Sequence, residues 1–139
     1  MRLLLGTLVI IVATGQAAPD STKNAKAATV RALDVKLDGE AKGKATEPTV
    51  IGSAEELGKA IKDAAAVEAI QKAVDFKVEQ VLYFQWAGSG QDKLTFDFGE
   101  GDKATDVTFS YKRGLTRDLR QHKKLFVLPK DSKYKFTGK

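Results

Sequence analysis

The residues that could do chemistry are few, and their types exclude several kinds of site. The chain has 139 residues, no cysteine and a single histidine, His122. Structural zinc sites and histidine metal clusters need several such ligands, so neither is expected. A serine nucleophile would have to use His122 together with a residue such as Ser89. The sequence AGSGQ around Ser89 lacks the G-x-S-x-G turn that exposes a nucleophilic serine, so we expect no nucleophilic catalysis.

Acidic residues cluster at one place, between residues 97 and 106. Carboxylate pairs can hydrolyse glycosidic bonds or bind calcium, but the order of these residues does not match the D-x-[DN]-x-[DN]-G pattern of a calcium loop. We interpret the cluster as the solvated tip of a hairpin, and we predict a protein without enzyme activity, cofactor or metal. The alternative is a small hydrolase that uses Asp97, Glu100 or Asp102.

Basic residues are concentrated in KRGLTRDLRQHKK, residues 112 to 124, which holds six lysines and arginines against one acid, Asp118. The planar guanidinium group of arginine donates paired hydrogen bonds to carboxylates and phosphates. We therefore predict that residues Arg113 to Lys124 form a basic loop that binds an acidic partner protein or an envelope polymer. The competing interpretation is a solvated connection whose arginines pair with the acidic hairpin. The candidate binding residues are Arg113, Arg117, Arg120, His122, Lys123 and Lys124, with Trp86 added from outside the segment.

The most aromatic stretch is VLYFQWAGSGQDKLTFDF, residues 81 to 98. Its glycines resemble part of a phosphate-binding loop, but such a loop precedes a helix, whereas the KLTFDF that follows alternates like a strand. Both alternating sides of VLYFQW are apolar, which predicts a central strand covered on both faces. The aromatic residues are spaced like core residues rather than a base-stacking platform, so nucleic acid is not an expected partner. A third alternative is a pocket for a small apolar envelope ligand, lined by Tyr83, Phe84 or Trp86.

The start of the chain has the layout of a secretory signal peptide. Arg2 precedes an apolar run from Leu3 to Ala13, and small residues that suit a signal peptidase follow, so cleavage is predicted near Ala17. The apolar run is shorter than the roughly 20 residues that span a bilayer, so we expect no membrane span once the signal is removed. We predict a secreted or periplasmic protein with a signal peptide at residues 1 to 17, a flexible lead-in at 18 to 30 and a single domain at 31 to 139.

Hydrophobic periodicity predicts the elements of that domain. Residues 31 to 37 alternate like a strand with one solvated face. Ser53 and Glu56 form the S-x-x-E capping box of a helix, and its apolar stripe predicts a break between residues 65 and 69, with a short second turn before Val74. The second half of the chain has a period of two.

These elements predict an α+β fold. After the N-terminal signal helix, one or two short helices are expected to pack on a mostly antiparallel β-sheet or small barrel of five to seven strands. Consecutive strands joined by short glycine-containing turns are expected to pair with each other. The late apolar strand KLFVLP is expected to be short, at residues 124 to 129.

The order of three motifs resembles the PrcB-like domain of bacterial secreted proteins, over roughly residues 50 to 130. The motifs are SAEELGKAI, then VDFKVEQVLYFQWAGSG, then alternating strands ending in LFVLPKD. Asp75 and Phe76 match the family's step into a strand, residues 87 to 90 its glycine-rich turn, and Pro129 with Lys130 the end of its late strand. The family is named for a subunit that associates with and stabilises an exported protease. The resemblance implies a non-catalytic module that binds or stabilises an exported partner.

Overall fold

The computed structural model describes residues 30–98 and 106–137, and these residues form an α+β fold. The predicted signal peptide, nearly all of the predicted lead-in and the tip of the acidic hairpin lie outside them. In chain order the elements are β1 Arg31–Leu33, β2 Thr49–Ile51, α1 Ala54–Ala60, α2 Ala64–Ala73, β3 Glu79–Ser89, β4 Lys93–Phe98, β5 Asp106–Lys112, β6 Leu119–Pro129 and β7 Lys133–Thr137.

The strands form two open sheets that stack in layers with the helices. The four-stranded sheet has the order β1-β6-β3-β2 and is antiparallel throughout. The three-stranded sheet has the order β4-β5-β7, in which β5 and β7 are parallel. One hydrophobic core lies between the helices and the four-stranded sheet, and a second lies between the two sheets. The mostly antiparallel α+β prediction is confirmed, whereas two open sheets take the place of the predicted single sheet or small barrel.

Strand β3 lies at the centre of the four-stranded sheet, as its two apolar faces predict. Val81 and Tyr83 belong to the core beneath the helices, while Phe84 and Trp86 belong to the core between the sheets. The ring of Phe84 lies 5.2 Å from that of Phe109 in the facing sheet. Tyr83, Phe84 and Trp86 are all buried, so the residues proposed to line a ligand pocket are part of the packed core.

The helical segment breaks, but earlier than predicted. Ser53 caps α1 by accepting from the amide of Glu56 at 3.2 Å, and the Glu56 carboxylate accepts from the amide of Gly52 at 2.6 Å. Asp63 then caps α2 by accepting from two backbone amides. This new cap restarts the helix in a different phase, which is why the later apolar residues leave the first stripe. The predicted break at residues 65 to 69 is therefore wrong in position, and the second piece is a helix of 10 residues rather than a short turn.

Strand β1 is shorter than its alternating sequence predicts. It ends at Leu33, although Val35 and Leu37 still pack against the helix-side core. Lys123 donates to the carbonyl oxygens of Leu37 and Asp38, which holds this part of the chain across the end of the four-stranded sheet. The side chains keep the period of a strand, but the backbone has left the sheet edge. Strand β2, which the sequence did not predict, occupies the opposite edge.

Strand β6 is longer than predicted and takes in half of the basic segment. It pairs with β3 over its whole length, from Pro129 opposite Glu79 to Leu119 opposite Ser89. The predicted loop, Arg113 to Lys124, is therefore wrong at its C-terminal end, because residues 119–124 belong to β6. Consecutive strands β3 and β4 do not pair either, because the turn between them carries the chain from one sheet to the other.

An ion pair ties β1 to the start of β3. The Glu79 side chain is 6% exposed, and its carboxylate accepts from Arg31 Nη2 at 3.0 Å and from the amide of Asp75 at 2.9 Å. Arg31 also donates to the carbonyl oxygen of Ala73 at 2.7 Å. Burial opposes ionisation of Glu79, but the guanidinium group and the amide together lower its pKa below the ordinary value.

Candidate functional site

The basic segment divides into a strand end, a loop and a second strand. Lys112 ends β5, residues 113–118 have no regular structure, and residues 119–124 begin β6. We keep the name basic loop for residues 113–118, the part of the predicted loop that is not strand. The basic loop contacts residues 88–92, with the sequence GSGQD, which comprise the last two residues of β3 and the connection to β4. We call residues 88–92 the glycine turn.

Asp92, at the end of the glycine turn, holds the start of the basic loop. Its Oδ1 accepts from the amide of Gly114 at 2.7 Å, and its Oδ2 accepts from Trp86 Nε1 at 3.0 Å and from the Tyr111 hydroxyl at 2.9 Å. Burial opposes ionisation of Asp92, but these three hydrogen bonds lower its pKa below the ordinary value. Burial and the bond to Asp92 raise the pKa of Tyr111. One carboxylate thus joins β3, β5 and the basic loop.

Two further contacts hold the middle and the end of the basic loop. The hydroxyl groups of Ser89 and Thr116 hydrogen-bond to each other. Asp118 Oδ1 accepts from the amide of Gly90 at 3.1 Å, and its Oδ2 accepts from Arg120 Nε at 2.9 Å. The Thr116 hydroxyl, Arg120 and the Gly90 amide hold the pKa of Asp118 well below its usual range. The basic loop is therefore attached to the glycine turn at three points.

The close approach of loop and turn requires glycine at position 114, where it meets backbone, and favours glycine at position 90, where it meets a side chain. A Cβ atom on Gly114 would lie 2.6 Å from the backbone carbonyl carbon of Gln91 and 2.5 Å from the Ser89 hydroxyl oxygen. A Cβ atom on Gly90 would overlap the Asp118 carboxylate. Of the two glycines that looked like part of a phosphate loop, Gly90 makes room for Asp118 of the basic loop and Gly88 makes room for the Asp92 carboxylate. A strand follows them as predicted.

The basic loop and the residue after it present two arginines and two leucines to solvent. Arg113 and Arg117 are exposed, Leu115 is 95% exposed, and Leu119 at the start of β6 is 74% exposed. In the part of the chain that the structure describes, neither arginine forms an ion pair. A groove of about 880 Å³ runs beside them, lined by the basic loop, the glycine turn and Tyr111. We call Arg113, Leu115, Arg117 and Leu119 the Arg–Leu surface.

Other predicted binding residues make internal contacts. Arg120 is exposed but ion-paired with Asp118 of the same segment. Lys123 is partly buried and donates to backbone carbonyl groups after β1, whereas Lys124 is exposed. Trp86 is 3% exposed, so its side chain supports the surface from inside.

His122 is partly buried and lies against Trp86. The two rings stack with centroids 4.7 Å apart and planes 13° apart. His122 Nε2 lies 2.7 Å from the backbone carbonyl oxygen of Ser89, while the Ser89 hydroxyl contacts Thr116. The histidine ring therefore contacts the backbone of this serine and not its hydroxyl group.

The acidic cluster is only partly described. Asp97 and Asp106 are exposed near facing ends of β4 and β5, while Glu100 and Asp102 lie outside the described residues. Within residues 30–98 and 106–137, neither Asp97 nor Asp106 pairs with an arginine of the basic segment. The same residues contain no group of three or more histidine, aspartate or glutamate side chains that could hold a metal ion. No helix among them is long and apolar enough to cross a membrane.

Sequence reasoning missed three residues of this site. Leu115 and Leu119 are the only large apolar residues between positions 112 and 124, and that isolation was a readable signal of exposure. Asp92 carried no such signal, because its hydrogen-bond partners lie up to 22 residues away along the chain.

No protein-family model matches the chain, and comparisons with curated proteins and with solved structures find no match. The class of protein is therefore described from its fold and its candidate site alone. It is an α+β domain of two stacked sheets that presents an anchored Arg–Leu surface at one end.

Proposed function

We propose that this chain is an exported, non-catalytic protein-interaction module, and that the Arg–Leu surface binds an acidic partner protein. The observation that carries the proposal is the 95% exposure of Leu115 and the 74% exposure of Leu119 on a loop attached at three points. Both leucines contribute little burial to the fold of the described residues. Their burial against a partner would contribute about 1.5 to 3 kcal/mol each.

The flanking charges indicate the chemistry of the partner. Arg113 and Arg117 lie on either side of Leu115, and both are exposed without an ion pair in the described part of the chain. Arginine is enriched at the energetic centres of protein interfaces, where it pairs with carboxylates. The exposed leucines favour a protein over a purely anionic polymer, because a polymer without apolar groups would leave them in water.

The proposal of export rests on the sequence pattern at residues 1 to 17 and on the resemblance to PrcB-like domains. The resemblance also supports a role in binding or stabilising an exported partner. Cell fractionation and a mass measurement of the mature N-terminus test the location. Recovery from the envelope or medium with cleavage near Ala17 is expected, and an intact cytoplasmic chain would contradict it.

The partner is tested with charge and apolar variants of the tagged full chain, crosslinked in its own host and purified. Arg113→Glu combined with Arg117→Glu is expected to remove the partner. The matched control is Lys62→Glu with Lys77→Glu, which makes the same charge change at exposed lysines on the helical side. Leu115→Ser is expected to reduce recovery at least about tenfold without changing charge.

The outcomes separate the alternatives. Equal recovery of the partner with the double arginine variant would reject the proposal. Loss with that variant but full recovery with Leu115→Ser would point to an acidic polymer instead of a protein. Thermal unfolding of each variant, followed by the fluorescence of the single tryptophan, shows whether the fold is retained.

A further inference from the structure

Strand β6 has a partner along one side but along only part of the other. Strand β3 pairs with it from Leu119 to Pro129, whereas β1 pairs with it only from Leu125 to Val127. After Leu33 the chain leaves this edge and crosses towards the helix side. Among the residues that the structure describes, the backbone of residues 119–124 makes hydrogen bonds to β3 alone.

The backbone of this edge can accept another strand. Alternate residues of a strand direct their N–H and C=O groups to opposite sides, so every second residue from 119 to 124 directs these groups away from β3. Such an edge is a template for an extended segment of another chain. Charged side chains on an edge discourage pairing with a second copy of the same edge.

The charges along this edge indicate the chemistry of the segment that it could bind. Arg120, Lys123 and Lys124 are basic, and no acidic residue lies between positions 119 and 124. Lys124 is exposed, whereas Arg120 also pairs with Asp118 and Lys123 with carbonyl groups after β1. By alternation, Arg120 and Lys124 lie on the same face of β6 as Phe126, which belongs to the core between the sheets. An added strand with acidic residues at every second position would place them along this face. The exposed Leu119, on the opposite face, is available to the intervening apolar residues.

We infer that the outer edge of β6, residues 119–124, binds an extended segment of the partner as an added strand of the four-stranded sheet. The bound segment alternates acidic and apolar residues. The inference rests on the proposed function for the existence of an acidic partner, and it adds the mode by which that partner is recognised.

The test uses the full chain labelled with ¹⁵N and a synthetic peptide of about seven residues, which matches a usual strand length, with alternating Glu and Val. Amide hydrogen exchange is measured with and without the peptide. Alternate amides between residues 119 and 124 are expected to gain protection, while the intervening amides, already paired with β3, change little. A peptide methylated on alternate backbone nitrogens so that it cannot donate to the edge is expected to bind at least about tenfold more weakly. Because this change is made in the peptide, it leaves the folding of the protein untouched.

Two controls separate this mode from simple charge attraction. A peptide of the same composition with its acidic residues grouped together is expected to bind weakly and to give no alternating protection. If the methylated and unmethylated peptides bind with equal affinity, or if the protected amides do not alternate, the inference is overturned. If binding then still depends on Arg113 and Arg117, the proposed function stands without it. Failure of every acidic peptide to bind also overturns the inference, and recovery of the partner with the arginine variants decides the proposed function separately.

Discussion

Asp92→Ala tests whether the glycine turn and the basic loop form one unit. The change removes the acceptor of three hydrogen bonds, from Gly114, Trp86 and Tyr111. Trp86 is 3% exposed, so its N–H group is left buried without a partner, which costs about 1 to 3 kcal/mol. Gly114 and Tyr111 are partly exposed and can turn to water, so each loses about 0.5 to 1.5 kcal/mol. Because such losses are not fully additive, we expect the free energy of unfolding to fall by about 2 to 4 kcal/mol.

Urea unfolding measures this loss, because the single tryptophan reports from within the network. In a domain of this size the melting temperature should fall by about 10 to 20 °C. The matched control is Asp97→Ala, an exposed carboxylate on β4 that makes no side-chain hydrogen bond among the described residues, and its effect should stay within about 0.5 kcal/mol. NMR signals of the Trp86 indole and the Gly114 amide should both shift in Asp92→Ala. A loss below about 1 kcal/mol with an unmoved Gly114 signal would refute the reasoning.

Three further predictions concern stability. Glu79→Gln leaves the Arg31 charge without its carboxylate and should lower the free energy of unfolding in urea by about 2 kcal/mol. The loss is smaller than for a fully buried ion pair because Arg31 reaches solvent, and an unchanged free energy of unfolding would contradict the prediction. Gly58 lies in α1, and a Cβ atom there would have no atom within 4 Å apart from its chain neighbours and the backbone of its own helix. Gly58→Ala should therefore raise the free energy of unfolding by about 0.5 to 1 kcal/mol, whereas a decrease would show that the position is not helical in solution. Because the folded pKa values of Glu79, Asp92 and Asp118 are lowered, their stabilisation is complete above the ordinary carboxyl pKa and is lost as the pH falls through the folded values. The melting temperature should therefore fall below about pH 4, and it should fall less steeply in Asp92→Ala. A melting temperature that rises in acid would contradict the assignment.

Features that depend on neighbouring residues could be predicted from the sequence. The capping box at Ser53 is a local contact, and the structure has it with the Glu56 carboxylate moved to the preceding amide. The two apolar faces of β3 predicted its central place, because hydrophobic burial is recorded directly in the alternation of side chains. Both kinds of signal lie within a few residues of the position that they predict.

Features that depend on distant pairing could not be predicted. The start of β6 has polar and basic side chains because it extends beyond both cores, so no hydrophobic period marks it as a strand. Its strand character comes from backbone pairing with β3 at a separation that no local pattern records. Asp92 was missed for the same reason, since the residues that it binds come from three separate elements.

The basic loop is held in place before any partner binds. This favours the proposal that its exposed leucines take part in recognition. A free loop would lose conformational entropy when a partner binds, at a cost of about 1 to 2 kcal/mol for each residue that becomes ordered. Here Asp92, the Ser89–Thr116 pair and Asp118 already hold the loop, so much of that cost is met during folding. The anchors themselves use glycine at position 114, where the loop meets the backbone of Gln91, and the buried indole N–H group of Trp86. A merely solvated connection between β5 and β6 would need none of these features, and they support the proposal that the Arg–Leu surface keeps its shape for a partner.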